Sequence, residues 1–247
     1  MTAKPLLMLH GFAGSPRSWD AVLADAQLGR RPVTPHLPGH GDAPTIAGGF
    51  DAVVDHLAAA LDPEPHGVVG YSLGARLALG LAVRHPRRVE RLLLVGVNPG
   101  LDDEAERQAR RAWDDAWATR IEAEGMVAFE QAWSALPLFA TQAALPADRL
   151  EAQRAARLAH DPRRLAWAMR TLGLGRMPSR WSALPDLSPP TALVVGSLDD
   201  RYRDIALTMQ ARSRACHLVV VEGAGHNVPL ETPGAMARVL ETELSVT

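Results

Sequence analysis

Cysteine and lysine are almost missing from this chain. Cys216 is the one thiol among 247 residues, so an internal disulfide is excluded and core packing is its expected role. Lys4 is the only lysine, which leaves nearly all positive charge on arginine, the better ligand for carboxylates. Charge of one sign is also lacking: the net charge is −2, with no acidic or basic tail, and no nucleic-acid partner is expected. No apolar run approaches the ~20 residues that span a bilayer, so no membrane segment is expected. The opening Met1-Thr2-Ala3-Lys4-Pro5 runs directly into a strand and leaves no room for a signal peptide. A soluble, cytoplasmic protein is predicted, a monomer or a small homo-oligomer.

What is present suits one large core, with 47% of residues hydrophobic. Short, continuous apolar runs alternate with helical patterns. They cover Leu6–His10, Val33–Leu37, Val68–Tyr71, Arg91–Gly96, Thr191–Gly196 and His217–Glu222. Runs of this kind predict about six strands of an α/β, mostly parallel sheet, with helices on both faces. One segment breaks the alternation. From Leu101 to Leu184 the pattern is helical only, punctuated by Pro137, Pro146, Pro162 and Pro178, and it carries Trp113, Trp117, Trp133, Trp167 and Trp181. An all-helical insert after the fourth strand belongs over the crevice at the carboxyl ends of the strands. Residues 1–100 and 185–247 are therefore read as the core, and 101–184 as a helical lid.

The chain is organised around Val68-Val69-Gly70-Tyr71-Ser72-Leu73-Gly74-Ala75-Arg76. A strand that ends in Gly-x-Ser-x-Gly and turns at once into a helix presents its serine on a sharp, strained elbow. A serine nucleophile needs a base, and the base needs an orienting group. His226 lies in the loop Gly223-Ala224-Gly225-His226-Asn227 after the last strand, and Asp199 follows the strand before it. The order Ser72, Asp199, His226 is that of a triad on this architecture. Asp200 competes with Asp199, although it suits the first turn of the next helix better. The amide of Leu73 and one from His10-Gly11-Phe12, for which Phe12 is preferred, would form an oxyanion hole. His36 and His40 have helical ligand spacing, but Pro38 and Gly39 between them forbid a helix, and no metal is assigned. His10 and His40 read as structural hydrogen-bonding residues.

Arginines distinguish the lid. Arg76 lies one helical turn below Ser72 on the same face, where a charge is expensive without a partner. Glu106, Arg110, Trp113 and Trp117 form one helical stripe, and Leu150, Arg154, Arg157 and Leu158 another. Arginine stems also cover apolar surface with their heads in water, which is the ordinary account of such positions. Three planar forks converging above one serine favour a small anionic substrate with several carboxylates, each held bidentately.

His-Gly-Phe at 10–12, Leu-Pro-Gly-His-Gly at 37–41, Gly-Tyr-Ser-Leu-Gly at 70–74, Gly-x-x-Asp at 196–199 and Gly-His-Asn at 225–227 resemble the α/β-hydrolase superfamily over the whole chain. The chain starts at what looks like that family's third strand, and His36 stands where many members carry aspartate. A narrower resemblance rests on Gly-Tyr-Ser-Leu-Gly-Ala-Arg at 70–76 and Asn98-Pro99-Gly100-Leu101 before an arginine-rich helix. It also rests on Trp133 with Pro137-Leu138-Phe139-Ala140, and on Arg154. These residues are similar to the 2-succinyl-6-hydroxy-2,4-cyclohexadiene-1-carboxylate synthases, lyases of menaquinone (vitamin K2) biosynthesis. Ala75 replaces a more usual glycine, and Asn98 stands where some members have histidine.

The resemblance implies substrate-binding roles for Arg76, Arg110 and Arg154, with Tyr71 and Trp133 lining the pocket. It implies a tricarboxylate substrate from which Ser72, with His226 and Asp199, removes the proton α to a succinyl ketone. Phe12 and Leu73 amides would stabilise the enolate, pyruvate would leave, and no metal or organic cofactor would be needed. The competing reading is a carboxylic-ester or carbon–carbon bond hydrolase using the same triad. A non-catalytic binding protein on this scaffold is a third, opposed by the intact Ser72, Asp199 and His226 set.

Overall fold

A computed structural model describes residues 4–244; residues 1–3, part of the opening read as leaving no room for a leader, lie outside them. Six strands form one sheet: β1 (Pro5–Leu9), β2 (Arg31–Val33), β3 (His66–Tyr71), β4 (Val89–Val95), β5 (Thr191–Gly196) and β6 (Cys216–Val221). Their order is β2-β1-β3-β4-β5-β6, and every neighbouring pair is parallel. Parallel neighbours require crossovers. These are supplied by α1 (Asp20–Asp25), α2 (Gly49–Ala60), α3 (Leu73–Arg84), then α4 (Glu104–Ser134), α5 (Ala147–Leu158) and α6 (Pro162–Leu172) between β4 and β5, and α7 (Asp200–Arg212) before β6. The short α8 (Val228–Glu231) and α9 (Pro233–Leu244) close the fold.

Alternate residues of each strand feed two cores, as the pleat demands. Leu7, Leu9, Val68, Leu92, Leu94, Leu193 and Val195 pack on one face with α2 and α3. Leu6, Met8, Val69, Leu93, Val95, Ala192 and Val194 pack on the other with α1 and α9. Strand β2 departs from the sequence reading: it covers Arg31–Val33 rather than Val33–Leu37. The physical reason lies in one proline and one histidine. Pro35 has no N–H to give to a ladder, and the Leu37 amide is taken by His10 Nε2 at 3.1 Å.

Between β4 and β5, helices α4 to α6 build a third cluster around Ile121, Phe129, Trp133, Phe139, Leu165 and Met169. Helix α4 breaks at Gly125, whose φ of 77° and ψ of −178° are non-helical, a backbone state open mainly to glycine. The insert returns to the sheet through Arg180, which meets Asp51, and Trp181, whose indole N–H donates to the Gly100 carbonyl at 3.0 Å. No helix among the described residues is long and apolar enough to cross a membrane.

The chain leaves β1 toward β2 and returns to β3 on the other side. The loops after β1 and β3 therefore part at the carboxyl ends, the place where open α/β sheets bind ligands. Ser72 stands there with a φ of 51°. A Cβ at Gly70 would lie 2.3 Å from the Gly74 carbonyl oxygen, and one at Gly74 would lie 2.2 Å from the Leu9 oxygen. We therefore expect Gly74→Ala to destabilise the fold by about 3 kcal/mol or more, measurable by urea denaturation. Wild-type stability would contradict this account of the elbow.

Candidate active site

The turn from β3 into α3 carries Ser72, whose own amide donates to the Val95 carbonyl at 2.8 Å and so pins the apex to β4. The loop after β6 brings His226 over it. His226 Nε2 lies 3.2 Å from Ser72 Oγ, and Nδ1 lies 2.8 Å from Asp199 Oδ2. A carboxylate can only accept, so Nδ1 carries the proton and the Nε2 lone pair faces the serine hydroxyl. The other oxygen of Asp199 accepts the Tyr202 amide at 3.3 Å and caps α7. Asp200 is exposed and pairs with Arg203 at 2.8 Å; the structure brings Asp199, and not Asp200, to the imidazole. His226 is only 2% exposed, with the Tyr202 and Tyr71 rings at 4.3 and 5.5 Å. Burial pushes both phenols above their ordinary pKa.

Two amides stand at the same end of the sheet. That of Leu73 opens α3 and has no acceptor within the helix. That of Phe12, in the loop after β1, makes no backbone hydrogen bond among the described residues. The Phe12 loop is fixed by two histidines that exchange bonds with the loop after β2. His10 accepts the Leu37 amide at Nε2 and donates from Nδ1 to the Gly11 carbonyl at 2.8 Å. His40 accepts the Ala13 amide at Nε2 (3.1 Å) and donates from Nδ1 to the Pro38 carbonyl. Ala13, with a φ of 55°, is held in an unfavourable backbone state by that bond. Both rings spend both nitrogens on backbone, and among the described residues no three His, Cys, Asp or Glu side chains gather as metal ligands.

A cavity of about 1320 Å³ opens above Ser72, lined by Phe12, Tyr71, Trp133 and arginines from both core and insert. Arg76 donates to the carbonyl of Leu172 at 2.6 Å, the last residue of α6, where the helix dipole is negative. Among the described residues Arg76 has no carboxylate partner. Burial and the nearby Arg110 lower its pKa to about 10. Arg110 stacks on Trp113 at 4.5 Å and pairs with the fully buried Asp114 at 2.8 Å. Trp113 is half exposed, while Trp117 packs on Trp133 and Phe129. Glu106, at the head of that stripe, is exposed.

Arg154 is not brought to the cavity. It lies off the cavity wall, 44% exposed at its side chain, and faces Glu130 at 3.6 Å and Glu151 at 3.7 Å. Arg157 of the same stripe lines the cavity instead, buried over Phe139 and bonded to Ser134 Oγ at 2.6 Å. Periodicity placed both arginines on one stripe of α5; only the helix's rotation against α4 decides which one turns inward. Sequence reasoning also missed Asp114, although its i, i+4 spacing from Arg110 was visible.

The chain matches the alpha/beta hydrolase family over residues 6–239. It is 36% identical to the 2-succinyl-6-hydroxy-2,4-cyclohexadiene-1-carboxylate synthase of an Enterobacter species, over 95% of this chain and 89% of that one. The corresponding synthase of Serratia proteamaculans is 32% identical over 97% of this chain and 92% of its own length. The solved structure of MenH from S. aureus superposes with a TM-score of 0.93 at 29% identity, covering 99% of this chain and 96% of that chain. The chain belongs to the alpha/beta hydrolase family and, within it, to the 2-succinyl-6-hydroxy-2,4-cyclohexadiene-1-carboxylate synthases.

The paired histidines make stability depend on pH. Burial lowers His10 from 6.5 to about 3, and His40 well below 6.5. The unfolded chain thus binds more protons than the folded one below pH 6.5, and stability is lost as pH falls through that window. Each imidazole contributes a slope of about 1.4 kcal/mol per pH unit. Urea denaturation at pH 7, 6 and 5 should show this decline, and equal stability at all three values would refute it.

Proposed function

We propose that the chain eliminates pyruvate from 2-succinyl-5-enolpyruvyl-6-hydroxy-3-cyclohexene-1-carboxylate to give 2-succinyl-6-hydroxy-2,4-cyclohexadiene-1-carboxylate, as a carbon–oxygen lyase of menaquinone biosynthesis. The observation that carries this reading is Arg76, a sunken cation without a carboxylate, beside a second arginine and one turn below the serine. Such a charge calls for an anionic ligand, and this substrate brings three carboxylates. Arg110 and Arg157 complete the set from the insert, each already oriented by a buried carboxylate, Asp114 or Glu130. Tyr71 and Trp133 wall the ring.

In this reading Ser72, relayed by His226 and oriented through Asp199, removes the proton from the ring carbon α to the succinyl ketone. Negative charge moves to the ketone oxygen, where the Phe12 and Leu73 amides receive it. As the carbonyl re-forms, a new ring double bond forms from the α-carbon to its neighbour, and the existing one shifts one position toward the carbon that bears the enolpyruvyl ether. The carbon–oxygen bond to the enolpyruvyl group breaks, and the departing enol takes up a proton to become pyruvate. General-base catalysis of this kind supplies typically about 10²–10⁴-fold, with positioning and electrostatics adding the rest. Residues 101–184 act as a lid on a core of 1–100 and 185–247, and keep water from the enolate. The reaction would take place in the cytoplasm.

Pyruvate release from that substrate, with a p-nitrophenyl ester in parallel, is the direct test. Release abolished in Ser72→Ala, with poor ester turnover, is the expected outcome; rapid ester cleavage with a burst and no pyruvate would establish a hydrolase instead. Arg76→Ala, Arg110→Ala and Arg157→Ala should each lower kcat/KM by tenfold or more, about 1.4 kcal/mol. Arg154→Ala should change it less than about twofold, as exposed ion pairs are worth little. Kinetics unchanged by all four substitutions would remove the polyanion site.

A further inference from the structure

One buried carboxylate stands next to the catalytic loop without a salt-bridge partner among the described residues. Glu231 is 9% exposed and ends the single turn of α8, four residues after Asn227. Its own amide donates to the Asn227 carbonyl at 2.8 Å, which folds the turn back on the loop that precedes it. The side chain follows. Oε2 accepts the Gly225 amide at 2.7 Å, and Oε1 accepts the Asn227 amide at 3.1 Å. These two amides belong to the residues on either side of His226.

We propose that Glu231 is a positioning residue for His226. Its carboxylate fixes the peptides that flank the histidine, and through them aims the imidazole at Ser72 and Asp199. This rests on the triad reading above. The chemistry requires a carboxylate, since two N–H donors converge on one side chain and only an ionised acid offers two acceptors. A glutamine would satisfy one amide and turn its own NH₂ toward the other, donor against donor. The site has little tolerance for that. The Ser72 to Nε2 separation of 3.2 Å already lies at the far end of hydrogen-bond reach, so a small swing of the loop uncouples base from serine. The insert touches the same turn, because Arg149 of α5 donates to the Leu230 and Glu231 carbonyls at 3.0 and 3.4 Å. The turn is thus fixed from outside while its carboxylate fixes the loop within.

Wild type, Glu231→Gln, Glu231→Asp and His226→Ala would be compared for kcat and KM of pyruvate release, for the rate at which a fluorophosphonate labels Ser72, and for melting temperature. Glu231→Gln should lower kcat and the labelling rate together, by about tenfold to a hundredfold, with KM within about threefold because the arginines are untouched. Glu231→Asp keeps two acceptors and should recover part of both rates. Wild-type kcat and labelling in Glu231→Gln would overturn the proposal. So would equal losses in both Glu231 variants accompanied by a large fall in melting temperature, or failure of both to fold, which would make Glu231 a residue of the fold alone. His226→Ala separates the two levels: if it turns over and labels like wild type, the triad reading fails, whatever Glu231 does.

Discussion

Strands β1 and β3 are hydrogen-bonded neighbours, and α3 begins so close above them that two positions admit no side chain. That contact is the constraint on which the rest depends. It fixes the distance between the loop after β1 and the serine on β3, because Gly74 rests against the Leu9 carbonyl and Gly70 against Gly74. Phe12 and Leu73 therefore follow the ends of two strands that cannot move apart. The serine is held with a positive φ, a strain that the sheet on one side and the helix on the other over-determine. Asp199 and His226 follow β5 and β6, two and three strands away from β3, and their loops reach back along the end of the sheet to meet it.

A second theme is how the molecule handles charge where water is scarce. Its positive charge is almost all arginine, and two arginines of the insert have buried acids: Asp114 beneath Arg110, and Glu130 beside Arg157. Such pairs fix direction more than they stabilise, since desolvation offsets much of their attraction. Arg76 is the exception: among the described residues it has no carboxylate partner and bonds to the carboxyl end of α6. The buried imidazoles of His10 and His40 follow the opposite rule. They stay neutral, and each ring joins two loops because one nitrogen donates while the other accepts.

Much of this was legible in the sequence, for reasons that differ by residue. Continuous apolar runs give strands buried on both faces, and β3, β4 and β5 lie where those runs predict. Ser72, Asp199 and His226 each stand at a strand's end, so chain order alone suggested their meeting. Beyond the strands, information thins. The Val33–Leu37 run looks like a strand, yet Pro35 and the claim of His10 on the Leu37 amide shorten it to Arg31–Val33. Helical spacing relates Arg154 to Arg157 but says nothing about which one faces Ser72; that depends on how α5 rolls against Glu130 and Ser134. Glu231 shows the same limit. A glutamate five residues after a histidine has no signature until a one-turn helix folds it back.

The break at Gly125 has a geometric consequence for the cavity. In an unbroken helix the 16 residues from Trp117 to Trp133 would rise about 24 Å, beyond the reach of two indoles. Their ring centroids lie 5.0 Å apart, so α4 doubles back and forms two walls from one segment. A Cβ at Gly125 would meet nothing within 4 Å; the residue is there for its dihedrals, not for packing. The spacing of these two walls accordingly depends on the backbone of one residue that does not line the cavity. Fit to a substrate can be adjusted at that point while the sheet, the elbow and the loops around it keep their dimensions.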